Sequence, residues 1–304
     1  MRPLIVWRFS DGKAGHDNQS LGLVEALARL IPIEVVQPQV LLPLAALGGI
    51  LSSRPSAWKG LPSPDLLLGA GHATHLSLLA ARRSRGGKAV VLMRPTLPAY
   101  LFDLCLIPEH DGIAPRKNVV VTRGALNRIR PSDVQERGKG LLLVGGPSAH
   151  FGWDAKALHE HVAAIVDADA DADVDWTLAT SRRTPPDFLE DWPVAPHARL
   201  TVVPVEDTGP DWLPSQLARA ERAWVTADSV SMVYEALTAG AAVGVLPMPQ
   251  HRASRISRGI DDLVAEGWVL PFADWRRDGH LRRPPGTFNE AERCAHGIVE
   301  RWFQ

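Results

Sequence analysis

The run DGKAGHDNQSLGL, residues 11–23, joins the strand-like LIVWRF to the helical LVEALARLI and sets an imidazole and a carboxylate, His16 and Asp17, at a strand-to-helix junction. A glycine-bearing turn of this kind points backbone N–H groups and the positive end of the helix dipole at an anion, and Gly15 permits close approach of a ligand. The spacing is neither G-x-G-x-x-G nor G-x-x-x-x-G-K-[ST], so no nucleotide specified by those motifs follows. The plain alternative is a capped helix start with Asn18 or Asp17 as N-cap. His16 and Asp17 at the mouth of the turn favour a functional reading, and either side chain is of a type that takes a proton as a general base. In PEHDG, residues 108–112, Glu109, His110 and Asp111 follow another apolar strand and could position a group or serve as base, the alternative being a capped loop. His72 and His75 lie three apart with no third ligand in sight, and no metal site is expected there.

Three runs in the second half repeat the pattern. LLLVGGPSAHFGWD, residues 141–154, leads a strand into Gly145, Gly146, Pro147 and Ser148, a second anion-holding nest. AWVTADSVSMVYEALTAGAAVGVLP, residues 223–247, surrounds a helix start with Asp228, Ser229 and Ser231, whose hydroxyls and N–H groups suit a diphosphate. Glu235 lies one turn further on, placed to accept hydrogen bonds from a ribose diol, and the alternative is ordinary capping with a solvated glutamate. TLATSRRTPP, residues 177–186, ends a strand with Ser181, Arg182 and Arg183, where paired arginines can neutralise a diphosphate leaving group without a metal, the alternative being an ordinary surface charge pair. The acidic run DADADADVD, residues 167–175, lacks the sharp-turn glycine and twelfth-position glutamate of a calcium loop and reads as a solvated connection.

These runs need elements to hold them. Short apolar strands alternate with amphipathic stretches of helical length along the whole chain, the pattern of βαβ units and of parallel sheets buried on both faces. The class is α/β. The pattern pauses at residues 123–140, which are polar and bounded by glycine and proline, so the expected domains are residues 1–135 and 136–304, the last helix packing back on the first. A chain of 304 residues with 45% apolar content supports two such cores. The 33 basic and 34 acidic residues are interspersed, leaving no electrostatic footprint for nucleic acid. Two cysteines, Cys105 and Cys294, make no disulfide framework, and the N-terminus lacks the order of a signal peptide, so a cytoplasmic protein is expected. VLLPLAALGGIL, residues 40–51, is too short to cross a membrane and apolar enough to lie on one.

Taken in order, DGKAGHDNQSLGLVEAL, IPEHDG, VVVTRGALNRI, LLLVGGPSAHFGWD, SRRTP and VTADSVSMVYEALTAG resemble the Elm-type mitochondrial fission family over nearly the whole chain. That family is in turn similar to the GT-B glycosyltransferases, MurG-type enzymes among them. The resemblance implies two Rossmann-like domains with parallel sheets facing across a cleft and a nucleotide-sugar site mainly on the second. It places Gly145 and Gly146 in the first glycine loop, Ser181 and Arg182 at the donor-side strand end, and Ser229, Ser231 and Glu235 in the run that holds diphosphate and ribose. His16 falls where MurG-type enzymes carry a histidine.

The expected function is a metal-independent glycosyltransferase whose donor substrate is a nucleoside-diphosphate sugar, with no further cofactor and a lipid-linked or saccharide acceptor. Two alternatives stay open. One is a non-catalytic, membrane-associated GT-B-like scaffold. The other is a nucleotide-sugar epimerase, with Asp17, Glu109 and Asp111 as the acids at the sugar ring. Residues 40–60 are expected to form an apolar surface for the inner face of a membrane, Arg54, Trp58 and Lys59 facing anionic headgroups, against the alternative of a helix packed into the core.

Overall fold

The computed structural model describes residues 2–52, 56–168, 173–190, 192, 199–251 and 255–304. The chain divides into two compact units, one formed by Met1–Arg128 with Glu290–Gln304 and the other by Ile129–Asn289.

The first unit runs β1 (Leu4–Phe9), α1 (Ala14–Leu30), β2 (Ile33–Val36), α2 (Pro43–Ser52), β3 (Leu66–Ala70), α3 (His75–Arg85), β4 (Lys88–Leu92), β5 (Leu104–Pro108) and β6 (Val119–Thr122). Its sheet has the order β2-β1-β3-β4-β5-β6 with every neighbour parallel. β3, LLLGA, is buried at all its positions, as a strand covered on both faces must be. One face carries α1 and the helix of residues 290–302, the other carries α3 and the edge-to-face cluster of Trp7, Phe9 and Trp58.

The second unit runs β7 (Glu136–Leu143), α4 (Ala155–Ala168), β8 (Asp175–Ala179), α5 (Asp187–Glu190), β9 (Leu200–Val203), α6 (Trp212–Arg219), β10 (Ala220–Thr226), α7 (Val230–Ala239), β11 (Ala242–Leu246), α8 (Arg255–Ala265), β12 (Val269–Pro271) and α9 (Phe272–Asp278). The sheet order is β12-β11-β10-β7-β8-β9, again parallel throughout. α10 (Glu290–Trp302) follows and belongs to the first unit, where Ala291, Cys294, Ala295 and Ile298, spaced as one helix face, are buried beside Leu23 and Leu27 of α1. Arg29 of α1 binds Glu292 at 2.6 Å and Arg293 donates to the Val121 carbonyl at 2.9 Å, fixing the register of that contact.

Each sheet grows first to one side of its opening strand and then to the other. The reversal falls between β1 and β3 in the first unit and between β7 and β10 in the second. In open α/β sheets the crevice for ligands lies at this reversal, beyond the carboxyl ends of the two strands.

Packing on α1 gives a test with two signs. A Cβ on Gly22 would lie 2.1 Å from the backbone oxygen of Asn127, whereas one on Gly15 would meet nothing within 4 Å. Gly22→Ala is expected to destabilise the first unit by about 1–3 kcal/mol through overpacking. Gly15→Ala is expected to stabilise it by roughly 0.5–1 kcal/mol through helix propensity. Denaturant titration of both variants checks the pair.

Candidate functional site

At the reversal of the first sheet, the chain leaves β1 through Ser10, whose hydroxyl accepts the Gly12 N–H at 3.1 Å, and Asp11, whose carboxylate accepts the Lys13 N–H at 3.2 Å. These local bonds turn the backbone into α1, which begins at Ala14 and makes Lys13, without a side-chain bond, its N-cap. Asn18 and Asp17 are therefore not caps, and His16 and Asp17 stand in the first turn of the helix. Nδ1 of His16 lies 3.0 and 2.9 Å from the two oxygens of Asp11. The Asp11 carboxylate is 4% exposed and the imidazole 21%. A carboxylate at Nδ1 fixes the tautomer with the proton there, and Nε2 has no partner among the described residues. Gly71, which follows β3 at φ 84°, closes the other side, since a Cβ there would meet Nδ1 at 2.4 Å. An L side chain is thus excluded by backbone and by space.

Asp17 is spent differently. The buried Arg8 donates to its carboxylate at 2.6 Å, to Ser20 at 3.0 Å and to Gln37 at 3.1 Å. Burial pushes the Asp17 carboxyl up, and the bonds from Ser10 and Arg8 with the charge of Arg8 outweigh it, holding the group below its ordinary range. Such a carboxylate serves as counter-ion to Arg8 and is a poor proton acceptor, which corrects its candidacy as base.

Glu109, His110 and Asp111 form a short, half-buried 3-10 turn after β5, where Asp111 accepts the Arg94 N–H at 3.4 Å. β5 lies three strand spacings from β1, or about 14 Å, so these acids and His16 do not surround one atom. His75 is buried against Thr96 at 3.2 Å and Phe102, and burial chiefly, with His72 nearby, pushes it down to about 4. It is a neutral core histidine.

At the reversal of the second sheet, Gly145 and Gly146 leave β7 and Asp228 and Ser229 leave β10. The Gly145 N–H donates to the Thr226 hydroxyl at 2.8 Å, the Gly146 N–H to Oδ2 of Asp228 at 3.0 Å, and the Ser148 N–H to the Phe151 carbonyl at 2.8 Å. Pro147 has none. The nest expected to be open to an anion is therefore closed by the chain's own groups. Both glycines are dictated by this packing: a Cβ on Gly145 would lie 2.2 Å from Asp228, and one on Gly146 would lie 2.0 Å from the backbone oxygen of Arg183. Ser148 uses its hydroxyl on the N–H groups of His150 and Phe151, each at 3.2 Å.

Ser181 and Thr184 shape the turn after β8, the Ser181 N–H donating to Thr184 at 2.8 Å and Thr184 in turn to the Val144 carbonyl at 3.0 Å. The turn sends Arg183 inward. Its guanidinium donates to the Gly146 carbonyl at 2.9 Å, to Ser229 at 2.9 Å and to Oδ2 of Asp228 at 2.6 Å. Arg182 is exposed, with no bonded partner among the described residues. Ser229 occupies the N-cap position of α7, and the N–H groups of Val230, Ser231 and Met232 have no intrahelical acceptor. Ser231 is exposed at this end, and Glu235 is buried one turn further on. Residues 145–148, 181–184 and 228–231 thus share one carboxyl edge over β8, β7 and β10.

Asp11 and Thr226 are absent from the expected set, and the arginine expected at the strand end is Arg182, whereas it is Arg183 that reaches Asp228, Gly146 and Ser229. An acid directly after a buried strand, as in FSDG, is the signal that marks Asp11. Within the acidic run 167–175, residues 169–172 lie outside the described residues, while Asp173 pairs with Arg199 and Asp175 with Lys139 at the amino end of β8, the opposite edge.

A family model described as mitochondrial fission ELM1 matches residues 14–302. The chain belongs to that family. Among solved structures, a Listeria monocytogenes protein assigned as a UDP-N-acetylglucosamine 2-epimerase is similar with TM-score 0.61 at 13% identity, covering 99% of this chain and 97% of that one. MurG of Acinetobacter baumannii is similar with TM-score 0.55 at 16% identity over 99% of both chains. The Neisseria meningitidis UDP-GlcNAc 2-epimerase, solved bound to UDP-GlcNAc, gives TM-score 0.50 at 12% identity over 98% of this chain and all of that one. These likenesses show the GT-B-like fold of this ELM1-family chain. A tRNA (guanine-N(1)-)-methyltransferase of Acidothermus cellulolyticus is 29% identical over 116 residues, 37% of this chain and 40% of that protein, so the chain spans about two fifths of the curated relative's length.

The two arginines of this ELM1-family chain separate by experiment. Arg183→Ala leaves the buried Asp228 charge without its cation and is expected to cost the second unit about 1–3 kcal/mol, less than a fully buried pair because the Arg183 side chain is 43% exposed. Arg182→Ala is expected to stay within about 0.5 kcal/mol of wild type. Thermal and denaturant unfolding of each variant measures both.

Proposed function

We propose that the chain is a glycosyltransferase using a nucleoside-diphosphate sugar, with the donor's diphosphate and ribose held by the second unit and the general base carried by the first. The observation that carries this reading is the His16–Asp11 pair: a buried carboxylate orients the imidazole and leaves Nε2 to accept a proton. As the acceptor oxygen bonds to the anomeric carbon, Nε2 takes the hydroxyl proton and the bond from that carbon to the diphosphate breaks. The start of α7 at Ser229 and Ser231, with Arg182 and Arg183, faces the charge that develops on the leaving group. Glu235 accepts from the ribose hydroxyls. MurG and the UDP-GlcNAc-bound epimerase share the fold, which supports a nucleotide sugar as the ligand class.

Of the alternatives, the epimerase reading is weakened by Asp17, held by Arg8, and by the distance of Glu109 and Asp111 from His16. The scaffold reading has one observation in its favour, the closed glycine loop. Turnover decides between them. UDP-, GDP- and dTDP-sugars are screened by calorimetry and by nucleotide release. Where a donor is turned over, His16→Ala is expected to lower kcat by about 10²–10⁴-fold with donor affinity unchanged. EDTA is expected to leave the rate intact, and a strict need for magnesium or manganese counts against the assignment. If no nucleotide sugar binds, the scaffold reading replaces this one.

The acceptor is proposed to be presented at a lipid surface. No helix among the described residues is long and apolar enough to cross a membrane. α2 carries no charge, buries Ala46 and Gly49, and leaves Leu44 84% exposed and Leu51 86% exposed, with Leu42 and Leu47 beside them. Between α2 and α3, Leu47, Ile50, Leu79 and Leu101 line a groove of about 590 Å³ rimmed by Arg82 and Arg83. Trp58, expected at the headgroups, is instead fully buried, its ring N–H donating to the Gln39 carbonyl at 3.0 Å, because it completes the aromatic cluster on Trp7. Lys59 is exposed, and Arg54 lies outside the described residues. Wild type is expected to co-sediment with anionic liposomes, and Leu44→Asp with Leu47→Asp to abolish this without a change in melting temperature. Wild type that ignores such liposomes removes the lipid surface from the proposal.

A further inference from the structure

Three donors from three different loops converge on a single carboxylate oxygen in the second unit. Oδ2 of Asp228 receives the Gly146 N–H at 3.0 Å, the Arg183 guanidinium at 2.6 Å and the Ser229 hydroxyl at 3.2 Å. A backbone N–H after a strand, an arginine and a hydroxyl at the mouth of a helix form the donor set that proteins direct at a phosphate oxygen. Here the anion is the chain's own. The carboxylate is 0% exposed, and it stands at the start of α7, where the helix dipole favours a negative group.

We propose that Oδ2 of Asp228 occupies, in the unliganded chain, the position of one oxygen of a ligand's phosphoryl group, so that Asp228 is the resident competitor of this anion site and sets its affinity. The inference rests on the reading of the second unit as a diphosphate site.

A second observation bears on how firmly Asp228 is held. Its other oxygen, Oδ1, is buried with no hydrogen-bond partner among the described residues, facing Gly145, where a Cβ would lie 2.5 Å from it. A carboxylate with one oxygen triply served and the other dry is half satisfied, and moving outward hydrates both oxygens. A phosphoryl group in its place satisfies the same three donors. Its remaining oxygens face the start of α7, whose first N–H groups have no acceptor within the helix. Displacement therefore exchanges one anion for another at the same donors, and Arg183 never loses a counter-charge. A carboxylate that served only as a permanent brace would be expected to have both oxygens bonded.

Asp228→Asn distinguishes the two roles, because the amide oxygen still accepts from Gly146 and Ser229 while the competing charge is gone. Pyrophosphate and UDP are titrated into wild type and D228N by calorimetry, with melting curves to confirm folding. The expected result is binding to D228N tighter by at least about tenfold, and loss of that gain when Arg183→Met is added. Equal or weaker binding to D228N, with UDP still bound by wild type, overturns the resident competitor and leaves the diphosphate reading standing. No binding of pyrophosphate, UDP or any UDP-sugar by either protein overturns both. If D228N does not fold, Asp228→Ser, whose short side chain vacates the same donors, replaces it with the same expected gain.

Discussion

A parallel sheet that grows to one side of its first strand and then to the other leaves two strand ends whose following loops diverge, and the rest of this structure is organised around that place in each unit. In the first unit the diverging loops are bridged by the contact of His16 and Asp11 with Gly71. In the second they are bridged by Thr226 and Asp228, which take the N–H groups of Gly145 and Gly146. Because all strands run the same way, every other candidate group falls on one of these two carboxyl edges, at a distance set by how many strands intervene. That count separates Glu109 from His16 and brings Arg183 to Asp228.

The layer structure was legible from the chain itself. Runs such as LLLGA and AVGVL are apolar at consecutive positions, which only a strand covered on both faces tolerates, and glycine, serine and acid at their ends mark the loops of the carboxyl edge. The helix start at Ser229 and Ser231 with Glu235 beyond it was legible for the same reason, being a local pattern of a few residues. What sequence could not supply was pairing between loops far apart in the chain. Nothing in SRRTP says that the second arginine turns inward; the turn is fixed by Thr184 bonding to the carbonyl of Val144, just after β7 and 40 residues away. Nothing in VGGPS says that its N–H groups are already satisfied, because Thr226 and Asp228 lie some 80 residues on.

The segment at 40–60 failed in part for a related reason. Hydropathy marks an apolar run, and only the partner surface tells which apolar residues are covered. Trp58 disappears into a cluster built from β1, while Leu44 and Leu51 remain bare. α2 is uncharged all round, so its own periodicity carries no information about which face is inside.

The two edges handle charge in contrasting ways, and the contrast bears on what each can do. On the first, Arg8 is the buried cation and Asp17 its counter-ion, which removes that carboxylate from acid–base work and leaves the neighbouring histidine to Asp11 alone. The imidazole therefore has one orienting contact, at Nδ1, and an Nε2 without a partner among the described residues. On the second, the buried charge is the anion, Asp228, and the cation Arg183 is the half-exposed partner. An exposed cation over a buried anion gives a surface with no net attraction for phosphate until the buried charge moves or is matched from outside. On the proposal that Asp228 is the resident anion of this edge, discrimination follows from exchange: a neutral sugar gains nothing there, a single weak anion meets a donor set already in use, and a diphosphate has oxygens enough for the inner donors and the helix start together.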